Sequence, residues 1–456
     1  MHVELQEVLA ARALSRHPWP SATPKPWAWG VWWRGVACIG TEPSLRTTFG
    51  AALYAACKVE DIKLETITGD PIAVSEAIRV MLEHASAKGK RLRLRTDHTK
   101  DVLEAIQQLS GEKGEARMAE LKLGSLPVVG FAVLMSFLAT EPAMTALELS
   151  KNLLSPDHAE ALAHSCTRGR DICVSRLGLS RNGLGGEGVA RLATALVQGG
   201  PSPSAPAIGS TGGGRGNMAY DLDLSHNGVQ GLAAVKAIAS LIRNGRLSRL
   251  ELTSNPMFGR GGMAGTSGAA AGSDPSEASR IGLECLKLLC DALLPDTTLR
   301  ELHLRDTGIE TSAGAPLGQA LGGNRGLQHL SLWKGALCGA GGKALMSGMM
   351  LNVHLVLLDL RSNRLDDEAG LALATYLQRR NKLATLLISD NELGPDSGKG
   401  IAKAWAENNT LASLDARGNR FDADTVKALR AARSSAARKQ GSREGAPPVE
   451  LLIDEP

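Results

Sequence analysis

One spacing limits what this chain can fold into more than any other feature. The segments LVLLDLRSNRL from Leu355, LATLLISDNEL from Leu383 and LASLDARGNRF from Leu411 align without a gap, and their asparagines, Asn363, Asn391 and Asn419, are 28 residues apart. Two further steps of 28 back from Asn363 reach Gly335 in LQHLSLWKGAL and Thr307 in LRELHLRDTGI, so the frame survives where the Asn is replaced. Earlier copies place Asn255 in LSRLELTSNPM, Asn227 in YDLDLSHNGV, Asn182 in SRLGLSRNGL and Asn152 in TALELSKNLL. Asn255 to Thr307 is 52 residues, one period plus 24, and Asn182 to Asn227 is 45, one period plus 17. Both excesses fall on biased segments, GGPSPSAPAIGSTGGGRGN at 199–217 and a Gly/Ala/Ser-rich stretch at about 259–279. Such composition cannot bury a core, so both read as flexible inserts within an intact array. A fixed period of this length marks a solenoid, in which each unit stacks only on its neighbours.

Weaker copies continue toward the N-terminus as LKLGSL at 121–126, LRLRTD at 92–97, IKLETI at 62–67 and VACIGT at 36–41. The reading divides the chain into a Trp/Pro-rich segment or cap at 1–35, degenerate repeats at 36–143, regular repeats at 144–430 and a disordered tail at 431–456. With 43% apolar residues but only 5 Phe, 7 Trp and 3 Tyr, the core must be built from Leu, Ala, Val and Ile. That suits many thin, similar layers better than one large enzyme core. The 51 Lys+Arg against 47 Asp+Glu leave a net charge of +4, which makes no chain-wide case for nucleic acid as a partner.

Each unit has two halves. The LxxLxL piece alternates and predicts a strand with its Leu residues on one side, and the Asn three residues on suits a turn where its side chain bonds orphaned backbone groups. The second half, as in GLALATYLQRRN, GVARLATAL and GLAAVKAIASLI, spaces apolar residues as a helix does. Gly recurs seven residues beyond the Asn position, at Gly262, Gly314, Gly342, Gly370 and Gly398, and predicts a tight strand-to-helix passage. Stacked units of this kind give an α/β solenoid, a horseshoe with parallel strands on the concave face and helices on the convex face.

The form LxxLxLxxNxL followed by a helix, at 28 residues per unit, resembles the leucine-rich repeats of ribonuclease-inhibitor type, shared by ribonuclease inhibitor, the Ran GTPase-activating protein and the sensing regions of NOD-like receptors. The resemblance covers residues 144–421 closely and 36–143 loosely. It implies a non-catalytic scaffold that binds a partner protein on the concave face; the alternative is a GTPase-activating protein of the Ran type. The frame is specific for fold and not for partner. This chain lacks the cysteine richness of the inhibitor.

Several motifs invite other chemistry. Gly183-Leu-Gly185-Gly-Glu-Gly188 matches a dinucleotide fingerprint in a strand-to-helix setting, but the chain enters the Gly/Pro/Ser insert where a ribose-binding acid should follow. Gly394 to Gly400 resembles a phosphate loop, one residue short and with no Ser or Thr after Lys399. Both read as repeat turns, and no cofactor is expected. Glu301, His303 and His329 fall on neighbouring strands about 4.8 Å apart, donors suited to a metal, with solvated side chains as the other reading. Seven cysteines without a CxxC pair or a secretory leader suggest a reducing, cytoplasmic location, with Cys285 and Cys290 as core fillers. The longest apolar run, Leu126 to Ala139, is too short to span a membrane and reads as a buried helix. Trp19, Trp27, Trp29, Trp32 and Trp33 suit a cap over the first repeat, a docking surface or a membrane-interface anchor. At the other end, PPVELLIDEP reads as solvated tail or as a linear docking motif.

Strand alternation orders the inward-facing residues into columns. The fifth position of successive units reads Lys63, Arg93, Lys122, Glu148, Gly178, Asp223, Glu251, His303, Ser331, Asp359, Leu387, Asp415, with Arg91 and Arg95 flanking the basic end and Asp221 and Glu301 the acidic middle. Either the face is electrically polarised or the charges merely solvate parallel strands. The seventh position reads Arg305, Trp333, Arg361, Ser389, Arg417, which sets an exposed Trp between two guanidinium groups for cation–π stacking. The expected protein-binding set is therefore Arg305, Trp333, Arg361 and Arg417 with Glu301, His303, His329, Asp359, Asp221, Asp223 and Glu251; for Trp333, cover over a repeat lacking its Asn is the alternative to a binding centre. Because loop length costs little, deleting residues 200–216 is expected to shift the melting temperature by no more than about 3 °C. Outright unfolding in a thermal melt would show that the first insert packs on the array.

Overall fold

The computed structural model describes residues 61–63, 93–95, 117–120, 128, 131, 132, 135, 144–168, 175–198, 219–258, 275–440 and 448–454. The chain divides into two units, 1–176 with 198–200 and 177–197 with 201–456. In the first, strands β1 (Asp61–Lys63) and β2 (Arg93–Arg95) pair in parallel, as do β3 (Arg117–Glu120) and β4 (Met144–Glu148), and helix α1 (Pro156–Arg168) follows. Phe131, Ala132 and Met135 are helical and buried, as the apolar run suggested, with Phe131 edge-on to His158 at 5.2 Å between ring centroids. The N-terminal tryptophans, the first insert, residues 259–274 of the second, Lys122 and Arg91 lie outside the described residues, while residues 275–279, expected as loop, are helical.

The second unit is the regular array. Its strands β5 (Arg176–Gly178), β6 (Tyr220–Asp223), β7 (Leu247–Glu251), β8 (Glu301–His303), β9 (His329–Ser331), β10 (Leu357–Asp359), β11 (Thr385–Leu387), β12 (Ser413–Asp415) and β13 (Glu450–Leu452) are neighbours in sequence order. Between them run α2 (Gly185–Gln198), α3 (Leu232–Arg243), α4 (Pro275–Leu293), α5 (Gly314–Gly323), α6 (Cys338–Gly348), α7 (Asp367–Leu377), α8 (Pro395–Glu407) and α9 (Ala423–Gln440). The central leucines stand opposite one another in parallel register: Leu222 with Leu250, Leu250 with Leu302, then Leu330, Leu358, Leu386 and Leu414. All are essentially inaccessible, so each strand turns its alternate Leu into a continuous apolar layer. Across the second insert the register still advances by one unit, from Leu250 to Leu302, as its length predicted.

Each turn after a strand is built the same way. A left-handed residue precedes the Asn position: Arg181, His226, Ser254, Asp306, Lys334, Ser362 and Asp390, with φ between 52 and 60°, and Gly418 at 64°. The Asn then folds inward and bridges repeats. Asn391 Nδ2 donates to Ile388 O in its own unit and to Leu360 O one unit back, each at 3.0 Å, while its Oδ1 accepts from Asn363 N at 2.9 Å and Leu365 N at 3.0 Å. Asn255 repeats this pattern with Leu252, Leu224, Asn227 and Val229. A second ladder, unread in the sequence, closes the helix-to-strand turns: Asn324, Asn352 and Asn408 each donate to a carbonyl 31 residues back and accept backbone N–H groups two and three residues on.

Four expectations need correction. Gly262 lies outside the described residues, and Gly314, Gly342, Gly370 and Gly398 are helical rather than turn residues: a Cβ on Gly314 would sit 2.0 Å from Gly341 O, one on Gly370 2.3 Å from Ser397 Cβ and one on Gly398 2.3 Å from Thr425 Cγ2. They are there so that successive helices can approach closely. The tail at 431–456 is not disordered throughout, because α9 continues to Gln440 and β13 pairs Leu451 with Leu414. It escaped the periodic reading because that step is 37 residues. LKLGSL itself lies outside the described residues, but the strand beside β4 is Arg117–Glu120, with Glu120 rather than Lys122 opposite Glu148, and Lys63 pairs with Arg95 rather than Arg93. Slips of two residues keep every side chain on its face, so alternation alone could not exclude them.

Two substitutions test this account. Asn391→Ala strands buried backbone groups in two repeats and is expected to cost about 3 kcal/mol, read as a fall in the urea midpoint. Gly314→Ala should cost about 1–3 kcal/mol by overpacking, and a neutral result in the same measurement would refute the helix-contact role.

Candidate functional site

The faces of β6 to β12 opposite the leucine layer carry the expected columns, since Asp223, Glu251, His303, Ser331, Asp359, Leu387 and Asp415 are register partners in turn. What the columns did not reveal is that most of the acids are already engaged two residues along the same strand face. Asp223 Oδ1 accepts from Ser225 N at 2.9 Å and Ser225 Oγ at 2.6 Å, and Glu251 accepts from Thr253 Oγ1. Asp359 holds Arg361 Nε and Nη2 at 2.8 Å each and also accepts from Ser331 Oγ at 2.9 Å. Asp415 holds Arg417 Nε and Nη2 at 2.9 Å each. Acid followed two positions later by a donor is the sequence signal that would have foretold these pairs.

The acidic middle is likewise tempered. Arg249 Nη1 lies 3.2 Å from Glu301 and its Nη2 3.8 Å from Glu251, while Ser248 Oγ donates to Asp221 at 2.5 Å. His303 stands between two carboxylates, 3.7 Å from Glu251 and 3.7 Å from Glu301, and His329 is 3.4 Å from Glu301. Glu301, His303 and His329 are thus brought together, but with a guanidinium among them. Among the described residues no three His, Cys, Asp or Glu side chains are arranged to hold a metal ion.

Trp333 sits as the column predicted: Arg305 Cζ is 3.4 Å from the ring centroid and Arg361 Cζ 4.0 Å. It is half-buried rather than freely exposed, and its Nε1 donates to Ser362 Oγ at 3.2 Å. Farther along, Ser389 is buried and Arg417 is exposed. In the first unit the basic series is interrupted, because Glu120 rather than Lys122 stands opposite Glu148.

The two phosphate-like motifs are occupied by the neighbouring repeat. At the start of α8, Gly394 N and Ser397 N donate to Asp367 Oδ1 at 2.9 and 3.0 Å, the groups a phosphate would need. Although burial raises the Asp367 pKa, its bonds from Ser397 and Gly394 outweigh that and hold it below the usual carboxylate value. Gly186 packs against Gln230, where a Cβ would lie 2.1 Å from the carbonyl oxygen. Cys285 and Cys290 are buried free thiols, and burial, with Asp291 adding, pushes Cys290 up to about 12.

An open parallel sheet of β-turn-α units with an Asn ladder and a polar strand face defines a leucine-rich-repeat solenoid. A family model described as Leucine Rich repeat matches residues 351–374, the β10 strand, its turn and the start of α7. Among solved structures, "Leiomodin-1 Actin-Binding Site 2 (ABS2)" is similar at 17% identity and a TM-score of 0.27, covering 45% of this chain and 90% of that one. A search of curated proteins finds no match. The chain thus carries leucine-rich repeats folded as an α/β solenoid, and among its described residues no helix is long and apolar enough to cross a membrane.

Burial raises the Asp415 pKa, but the bonds and charge of Arg417 and the charge of Arg361 more than reverse this, so folding lowers it. Its contribution is then present above the unfolded carboxylate value of about 3.9 and is lost as pH falls through the folded one. Asp415→Asn is expected to lower the melting temperature at pH 7, with the gap to the parent narrowing as the pH drops below 4. A gap independent of pH would assign the effect to shape rather than charge.

Proposed function

We propose that this chain is a non-catalytic scaffold that binds a partner protein on the strand face of its second unit, with the centre at Arg305, Trp333 and Arg361 and the flanks at Arg417, Asp359 and the group Glu301, His303, His329, Glu251, Asp221 and Asp223. The observation that carries this reading is the clamped indole, half-buried on a mostly polar wall and stacked by two guanidinium groups. Trp and Arg are the residues that most often dominate binding energy, and rigidity of this kind lowers the ordering cost of association. The 28-residue unit favours the ribonuclease-inhibitor subclass, and unpaired buried thiols accord with a reducing, cytoplasmic setting.

Trp333→Ala should weaken a purified partner's binding by about 2 kcal/mol or more, measured by calorimetry well below the melting temperature. The same substitution should also lower stability, because the stack crosses two repeats that lack the ladder Asn. Lost stability with unchanged affinity would make Trp333 purely structural. Single-turnover GTP hydrolysis with Ran-type GTPases should proceed at the unassisted rate; acceleration would replace the scaffold with the activating-protein reading.

A further inference from the structure

Four arginines stand on the strand face from β6 onward, and three of them are spoken for. Arg249 pairs with Glu301, Arg361 with Asp359 and Arg417 with Asp415. Arg305 differs: among the described residues its guanidinium has no hydrogen bond or ion pair, only its stack on Trp333. The nearby carboxylates are committed elsewhere, Asp306 to Lys334 Nζ at 2.9 Å and Glu251 to Thr253, with Arg249 and His303 alongside. At 3.4 Å the guanidinium lies on the indole, so its N–H donors point outward in its own plane. Stacking spends none of them. The ring beneath is itself held by Ser362 and, from the next strand, by Arg361. The result is a preorganised fork whose edge donors are unspent among the described residues.

We infer that Arg305 receives a carboxylate from an acidic segment of the partner polypeptide. This rests on the proposed role of the strand face and adds the chemistry of what that face recognises. A planar fork matches a carboxylate with two parallel bonds, a geometry Lys cannot provide. A nucleic acid or other polyanion is disfavoured, because Asp221 and Asp223 on β6, Glu251 on β7 and Glu301 on the strand leading into Arg305 leave that side of the face net negative even with Arg249 set against the last two. A polypeptide can set one acid on Arg305 and neutral or basic residues over those carboxylates. A dianionic phosphate would need more than one free fork, and the adjoining Arg361 is already closed by Asp359.

The test is to pan a phage-displayed random 12-residue peptide library over the full chain and measure the recovered peptides by fluorescence anisotropy. Expected are peptides bearing Asp or Glu whose affinity falls roughly tenfold with Arg305→Gln, and equally when the peptide acid is changed to its amide. Combining the two changes should add no further loss, and Arg305→Lys should restore only part of the affinity. Because Arg305→Gln also loses its stack on Trp333 and is expected to lower the melting temperature somewhat, affinities are read well below the variant's melting midpoint, which keeps the comparison between folded proteins. Binders without an acid, binders indifferent to Arg305→Gln, or no binder at all would overturn the inference. Peptides that depend on Trp333 but not on Arg305 would sink this inference and leave the scaffold reading standing; peptides indifferent to both would sink both.

Discussion

The array depends on one side chain used twice. The Asn after each strand satisfies the carbonyls that the left-handed turn leaves open in its own unit, and the same amide reaches back one repeat, as Asn391 does to Leu360, Asn363 and Leu365. Buried backbone groups must find partners, and here the partner is shared across the repeat boundary, so closing a turn and setting the position of the next strand are one event. The leucine register follows, and with it the columns on the opposite face. Arg305, Trp333 and Arg361 meet because their strands are held one unit apart by this bonding.

The ladder is broken where the proposed site lies. The Thr307 side chain keeps only the bond within its own unit, to Leu304 O at 2.7 Å, the link to the preceding repeat being left to its main-chain carbonyl, which accepts from Met257 N and Phe258 N, and Gly335 has no side chain to offer. Across the boundary between these two units run the stack of Arg305 on Trp333 and the Lys334 to Asp306 ion pair, whereas the next boundary, where Arg361 and Ser362 hold the ring, keeps its ladder bond from Asn363 to Leu332 O. Contacts on the outer strand face take over part of a duty discharged elsewhere by a buried amide. Holding the array together and presenting a rigid surface are therefore compatible tasks for Trp333.

Charge on the strand face is mostly local. Reading columns from the sequence suggests long stretches of one sign, yet Asp359 and Asp415 each close on an arginine two residues away, and Arg249 sits against Glu301 and Glu251. Pairs this close cancel most of their field beyond a Debye length of about 8–10 Å. What distinguishes one part of the face from another is then which polar group lacks a partner, and that directs attention to Arg305.

The amino-acid sequence by itself determined the repeat, the strand partners through the second insert and the meeting of Arg305, Trp333 and Arg361. All of these follow from a one-dimensional spacing that stacking converts directly into neighbours. It also contained the second Asn ladder, at 324, 352 and 408, and the acid-to-donor steps along the strands, both legible as spacings though weaker than the leucines. Tertiary structure alone decided the rest. A two-residue slip at β3 is invisible to alternation, the extra strand β13 follows an off-period step, and the recurrent glycines answer to a helix some 27 residues on in sequence. Whether an arginine is free or paired depends on distances of 3 to 4 Å between side chains from different repeats, and no periodicity encodes those.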